Sequence, residues 1–100
     1  MIRSITISKT AKRKIEKLFG YLVKNWNLKV KFDFVKKLNR SIKVIQLNPE
    51  LFPESNIKKG LHKCVITKQT TLFYRFNSKK IIIVAIFDTR QNPNKLNKDL

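Results

Sequence analysis

The sequence has one cysteine, two glycines and one histidine, and it sets only six acidic residues against 23 lysines and arginines. Each scarcity excludes something. A single thiol, Cys64, has no partner for a disulfide within the chain. With only Gly20 and Gly60, no glycine-rich loop can cradle a phosphate. His62 and Cys64 stand alone in their kinds, so there is no two-histidine or multi-cysteine metal pattern, and no metal or cofactor is expected. No Ser/His/Asp set for nucleophilic catalysis stands out. No apolar run approaches the ~20 residues of a membrane-spanning helix, and no secretory apolar segment follows Met1. A cytoplasmic location without membrane contact is the expectation.

What is abundant is positive charge. The formal net charge is +17 on 100 residues, far more than any core requires. Such a field attracts a polyanion, whether nucleic acid, ribosome, an anionic membrane or an acidic protein. Hydrophobic residues make up 42% of the chain, enough for a folded core. The length suits one domain over residues 1–100, and charge is spread too evenly to mark a boundary.

Periodicity supplies the elements. Arg3 to Ile7 alternates, with Ile5 and Ile7 on one face, which predicts a strand. Ser8 or Thr10 can cap a helix whose apolar stripe is Ala11, Ile15, Leu18, Leu22 and Trp26. A second helix runs from about Val30 to Leu47, burying Phe34, Val35, Leu38, Ile42 and Ile45, and Pro49 stops it. The short Asn-containing connection implies an antiparallel helical hairpin. Asn48 to Lys59 reads as a loop. After Gly60 the period becomes two: Leu61 to Thr67, then Leu72 to Phe76, then Ile81 to Phe87. Short turns at Lys68–Thr70 and Asn77–Ser78 make these strands antiparallel neighbours. Ile81 to Phe87 is apolar on both faces, as a central strand should be. Residues 88–100 are polar and read as a C-terminal tail. The expected fold class is α+β: an N-terminal strand, an antiparallel two-helix hairpin, then three antiparallel strands forming a sheet packed on the helices.

That order, length and charge resemble the RelE/ParE superfamily of toxins from type II toxin–antitoxin systems. Local segments strengthen the likeness. They are the basic–apolar first helix from Lys9 to Trp26, Pro49 and Gly60 around the loop, Leu72-Phe73-Tyr74-Arg75-Phe76 in the third strand, and Phe87-Asp88-Thr89-Arg90-Gln91-Asn92-Pro93 at the last strand's end. The last is similar to the ending of many plasmid-stabilisation toxins. The resemblance implies growth inhibition and an acidic antitoxin partner that folds onto the toxin. It implies one of two targets: the ribosome with its mRNA, which RelE-like members cleave, or DNA gyrase, which ParE-like members poison without hydrolysis.

For metal-independent RNA cleavage, a 2′-hydroxyl must be deprotonated, phosphate charge stabilised and a 5′-oxygen protonated. The expected candidates are Arg90, at the family's Arg or His position after the last strand, His62 for proton transfer, and Lys63. Lys58, Lys59, Lys68, Arg75 and Arg90 are candidates for binding nucleic acid. Arg90 has a competing reading as the salt-bridge partner of Asp88, and Arg75 as a solvated strand residue. Cys64, beside Val65 and Ile66, reads as a packed small residue. Two positions oppose cleavage. The arginine that RelE-like nucleases place three residues before the strand-three tyrosine falls on Thr71, which cannot hold a phosphate as a guanidinium does. Gln91 stands near their terminal tyrosine and cannot do its proton chemistry. The charge still tips the expectation to ribosome-dependent mRNA cleavage, with gyrase inhibition as the alternative. A basic nucleic-acid-binding module, its Phe73, Tyr74 and Phe76 stacking bases, or an inactive toxin relative is a further reading.

Overall fold

The computed structural model of the protein describes residues 3–90. Strand β1 (Ser4–Ile7) leads into helices α1 (Lys9–Asn25) and α2 (Leu28–Leu47) and a 3-10 turn, Pro49–Leu51. Strands β2 (His62–Val65), β3 (Thr70–Phe76) and β4 (Lys80–Asp88) follow. The sheet order is β1-β4-β3-β2, so β4 is interior. β1 lies parallel to β4, and the β2–β3 and β3–β4 pairs are antiparallel.

Both helices begin where a side chain can replace a missing backbone acceptor. The Ser8 hydroxyl accepts from the Ala11 N–H at 3.1 Å, and the Asn27 side chain accepts from Val30 N–H at 2.9 Å. Asn27 therefore starts α2 at Leu28, two residues before the apolar pattern becomes visible. Only Trp26 and Asn27 separate the helices, and Phe19 meets Phe34 edge-on across the hairpin. Ala11, Ile15, Leu18 and Leu22 are buried as their spacing predicts, with Phe34, Leu38 and Ile45 from α2. Trp26 is not: it sits in the bend, past the last helical turn, and is exposed.

The helices cover one sheet face, where Cys64, Leu72, Tyr74, Ile81, Ile83 and Ile86 complete the core. Leu61, Phe73 and Ala85 form a smaller buried cluster of their own, with Val84 and Phe87 packed against it. A β-bulge serves both clusters. Phe73 pairs with Ala85 but Tyr74 pairs with Ile83, leaving Val84 unmatched. The bulge is clasped from β1: Ser8 N–H donates to Ile83 O at 3.0 Å and the Ser8 hydroxyl to Val84 O at 3.0 Å. One serine thus caps α1 and holds the central strand's irregularity.

The far edge, at β2, is covered by the preceding loop. Lys63 N–H donates to Pro53 O, Ser55 N–H donates to Leu61 O, and Glu54 bridges His62. β2 is shorter than the pattern of residues 61–67 suggests, because Ile66 and Thr67 turn back onto Thr70. At the other end, the polar tail expected from residue 88 does not begin there. Asp88 is the last residue of β4 and is buried, and Thr89 N–H donates to Gln69 O at 2.9 Å. The rest of that expected tail, residues 91–100, lies outside the described residues, and so does Gln91.

Candidate functional site

At the end of β4 a carboxylate organises its surroundings. Asp88 accepts from the Thr70 hydroxyl at 2.5 Å, Arg90 N–H at 2.9 Å, Arg90 Nε at 3.0 Å and Arg90 Nη2 at 2.7 Å. Thr70 is placed for this by its register opposite Asp88. Burial pushes the Asp88 carboxyl up, but the hydrogen bonds from Arg90 and Thr70 and the Arg90 charge outweigh it, leaving the pKa below its usual value. The bond to Asp88 in turn raises the Arg90 pKa against burial. Of the two roles expected for Arg90, the salt bridge to Asp88 is formed, and it is bidentate. Arg90 also borders a cavity of about 250 Å³ floored by Leu22, Val30 and Phe34, with Asp33, Lys37 and Gln69 at its walls.

His62 lies elsewhere. It pairs with Tyr74, four residues along β3 from Thr70, a separation of about 13 Å along the strand from the Asp88 level. Its Nδ1 is 2.9 Å from Phe52 O. The ring stacks on Tyr74 at 5.5 Å and lies 5.0 Å from Phe76. Tyr74 donates its hydroxyl to Pro49 O at 2.6 Å. Burial pushes the Tyr74 phenol well up, with the Cys64 and Glu50 charges adding to it. These rings therefore fasten the turn at 49–52 onto the sheet, and the imidazole is one of the fasteners.

Lys63 is exposed and alternates to the opposite face from His62, opposite Phe73. Cys64 shares the His62 face and is buried in the main core, and desolvation raises its thiol pKa despite a hydrogen bond from Ser41. His62, Lys63 and Arg90 thus occupy three separate places and do not converge on one reacting atom.

The basic candidates divide likewise. Lys58 and Lys59 are exposed in the loop before β2, and Lys68 is exposed in the β2–β3 turn. Arg75 is half-buried and donates from Nη1 to Lys59 O at 3.2 Å. That guanidinium lies over Gly60, whose φ of 79° is unsuited to an L side chain. A Cβ there would meet Arg75 Nη1 at 2.9 Å. Lys63 and Arg75, with Thr71, share the face opposite the helices. Sequence reasoning missed Thr70 as an Asp88 partner and Ser8 as the clasp of the bulge. Neither contact has a signal in local spacing.

Among the described residues, no group of three or more His, Cys, Asp or Glu side chains is placed to hold a metal ion, and no helix is long and apolar enough to cross a membrane.

Comparison with known proteins places this architecture. No curated protein matches the sequence. Solved structures do match in fold. The toxin–antitoxin structure described as the chromosomal ParDE system from P. aeruginosa is 14% identical with a TM-score of 0.73, covering 87% of this chain and 96% of that one. The YoeB dimer from Staphylococcus aureus is 23% identical with a TM-score of 0.61, covering 87% and 97%. The DinJ–YafQ toxin–antitoxin complex of E. coli is 13% identical with a TM-score of 0.64, covering 92% and 98%. At these identities the likeness is one of fold. The model of the family described as "ParE toxin of type II toxin-antitoxin system, parDE" matches residues 5–93. With its mixed four-stranded sheet and helical hairpin, and a family match over residues 5–93, the chain belongs to the ParE toxins of type II toxin–antitoxin systems, within the RelE/ParE superfamily.

Proposed function

We propose that this toxin arrests growth by binding DNA gyrase, without hydrolysing RNA, and that an acidic antitoxin restrains it. The observation that carries this reading is the dispersal of the candidate catalytic groups. Arg90 is chelated by Asp88, His62 is held against the Phe52 carbonyl, and Lys63 lies on the other face. A general base and a phosphate-holding cation must lie within hydrogen-bond reach of one substrate. Thr71 supplies no cation beside them. The match to the ParE family agrees, since binding to a protein target needs no catalytic set. The charge of +17 suits an acidic antitoxin, which it draws in by long-range attraction.

The competing reading, ribosome-dependent mRNA cleavage, is favoured by Lys63 and Arg75 sharing the sheet face opposite the helices, with Lys58, Lys59 and Lys68 as further phosphate contacts. Purified chain added to a gyrase supercoiling reaction tests the choice. Inhibition that rises with toxin and is reversed by an acidic antitoxin is expected. Unimpaired supercoiling at toxin in excess over gyrase would remove the gyrase assignment.

A further inference from the structure

The cavity beside Arg90 sits where four segments meet: the end of α1 at Leu22, the first turns of α2 at Val30, Asp33 and Phe34, the β2–β3 turn at Gln69, and the chain just past β4. Leu22 and Phe34 are buried and Val30 is half-buried, so the floor is apolar. The turn that forms one wall is held by its own hydrogen bonds. Thr67 Oγ1 accepts from Gln69 N–H at 3.2 Å and from Thr70 N–H at 3.1 Å, and Gln69 O accepts from Thr89 N–H at 2.9 Å. The cavity's shape is thus set by the fold. Its volume of about 250 Å³ lies below the ~300–1,000 Å³ of pockets for drug-sized ligands, which limits an occupant to something smaller.

The charges on the rim are balanced, in a molecule whose net charge is +17. Arg90 is neutralised by Asp88, which takes its Nε and Nη2. Asp33 and Lys37, both exposed, have no hydrogen-bond or ion-pair partner among the described residues. They stand four residues apart on α2, so their side chains leave one face of the helix ~5–6 Å apart. One α-carbon bearing an ammonium and a carboxylate bridges such a gap, the ammonium on Asp33 and the carboxylate on Lys37. A phosphate or other plain anion gains from Lys37 but meets Asp33 with like charge, and a plain cation meets Lys37 in the same way. We infer that this cavity binds a free α-amino acid with an apolar side chain. Its charged ends pair with Asp33 and Lys37, and its side chain lies on Leu22, Val30 and Phe34. The site goes beyond the toxin reading above and depends on neither target.

Calorimetric titration of the full chain with L-leucine, L-valine and L-phenylalanine tests the site, and methyl NMR places it. Saturable binding of at least one is expected, with the Leu22 and Val30 methyl signals shifting along the same curve. Each part of the ligand should matter. For leucine, the N-acetyl derivative lacks the ammonium, the amide lacks the carboxylate and glycine lacks the side chain. Each should bind about tenfold more weakly, the loss expected for one charged hydrogen bond or a buried aliphatic group. Asp33→Asn and Lys37→Ala should each weaken binding about tenfold. Both positions are exposed, so the fold is kept, and circular dichroism checks that. Lys36→Ala, also exposed on α2 but outside the cavity lining, should leave binding unchanged. Absence of saturable binding for all three amino acids up to ~10 mM, ten times the ~1 mM of a weak complex, overturns the proposal. So does inorganic phosphate or N-acetyl-leucine binding as tightly as the amino acid, which makes the cavity a plain anion site. Glycine binding as tightly, unchanged affinity in Asp33→Asn, or methyl shifts confined to residues away from the cavity overturns it as well.

Discussion

At the residue scale, Asp88 and Arg90 decide how any mutant at the strand end must be interpreted. Removing the guanidinium with Arg90→Ala leaves a buried carboxylate short of its charged donor, which should cost about 2 kcal/mol, measured as a lowered urea midpoint. Lost toxicity in that variant would therefore not by itself indicate catalysis. Asp88 also predicts a pH dependence. Its folded pKa is depressed, so its contribution to stability is present above the usual carboxylate value of 3.8 and is lost as pH falls through the folded value. Asp88→Asn should be less stable than the wild type near neutrality, and the gap should narrow below about pH 4. A constant gap across that range would contradict the assignment. His62 makes the complementary prediction. His62→Ala should loosen the turn at 49–52 and cost about 1–2 kcal/mol, yet the folded variant should still inhibit growth.

At the scale of elements, Ser8 ties α1, β1 and the β4 bulge together. Its hydroxyl both accepts from α1 and donates to Val84 O. Ser8→Ala should lower stability by about 1–2 kcal/mol. Ser8→Thr keeps both roles and Ser8→Asp keeps only the acceptor, so thermal midpoints should order serine and threonine above aspartate, and aspartate above alanine. Gly60→Ala should cost about 1 kcal/mol or more, because φ is 79° and Arg75 stands in the way. Combining it with Arg75→Ala should restore only the part due to the clash.

Much of this architecture was legible from spacing, because amphipathic period follows burial. The stripe through Ala11, Ile15, Leu18 and Leu22 is an example. The stripe failed at Trp26, since the same spacing continues past a helix that Asn27 interrupts by capping the next one. The bulge was invisible because Val84 and Ala85 are both apolar, and an apolar run reads alike with or without an extra residue. Asp88 looked like the start of a polar tail because its partner Thr70 is 18 residues away. The site was less legible than the fold. Single basic residues stand out poorly against so many lysines, and the loop carbonyl that engages His62 is a tertiary contact.

At the scale of the whole molecule, a fold shared within the superfamily supports either hydrolysis or inhibition by binding, and the side chains must choose. Here charge is everywhere and the candidate catalytic groups are apart. The proposed toxin inhibits growth without hydrolysing RNA. Mapping mRNA ends in a reconstituted bacterial translation reaction with purified chain tests it most directly. The same ends are expected with and without the toxin. New ends inside translated codons, formed only when ribosomes are present, would contradict it.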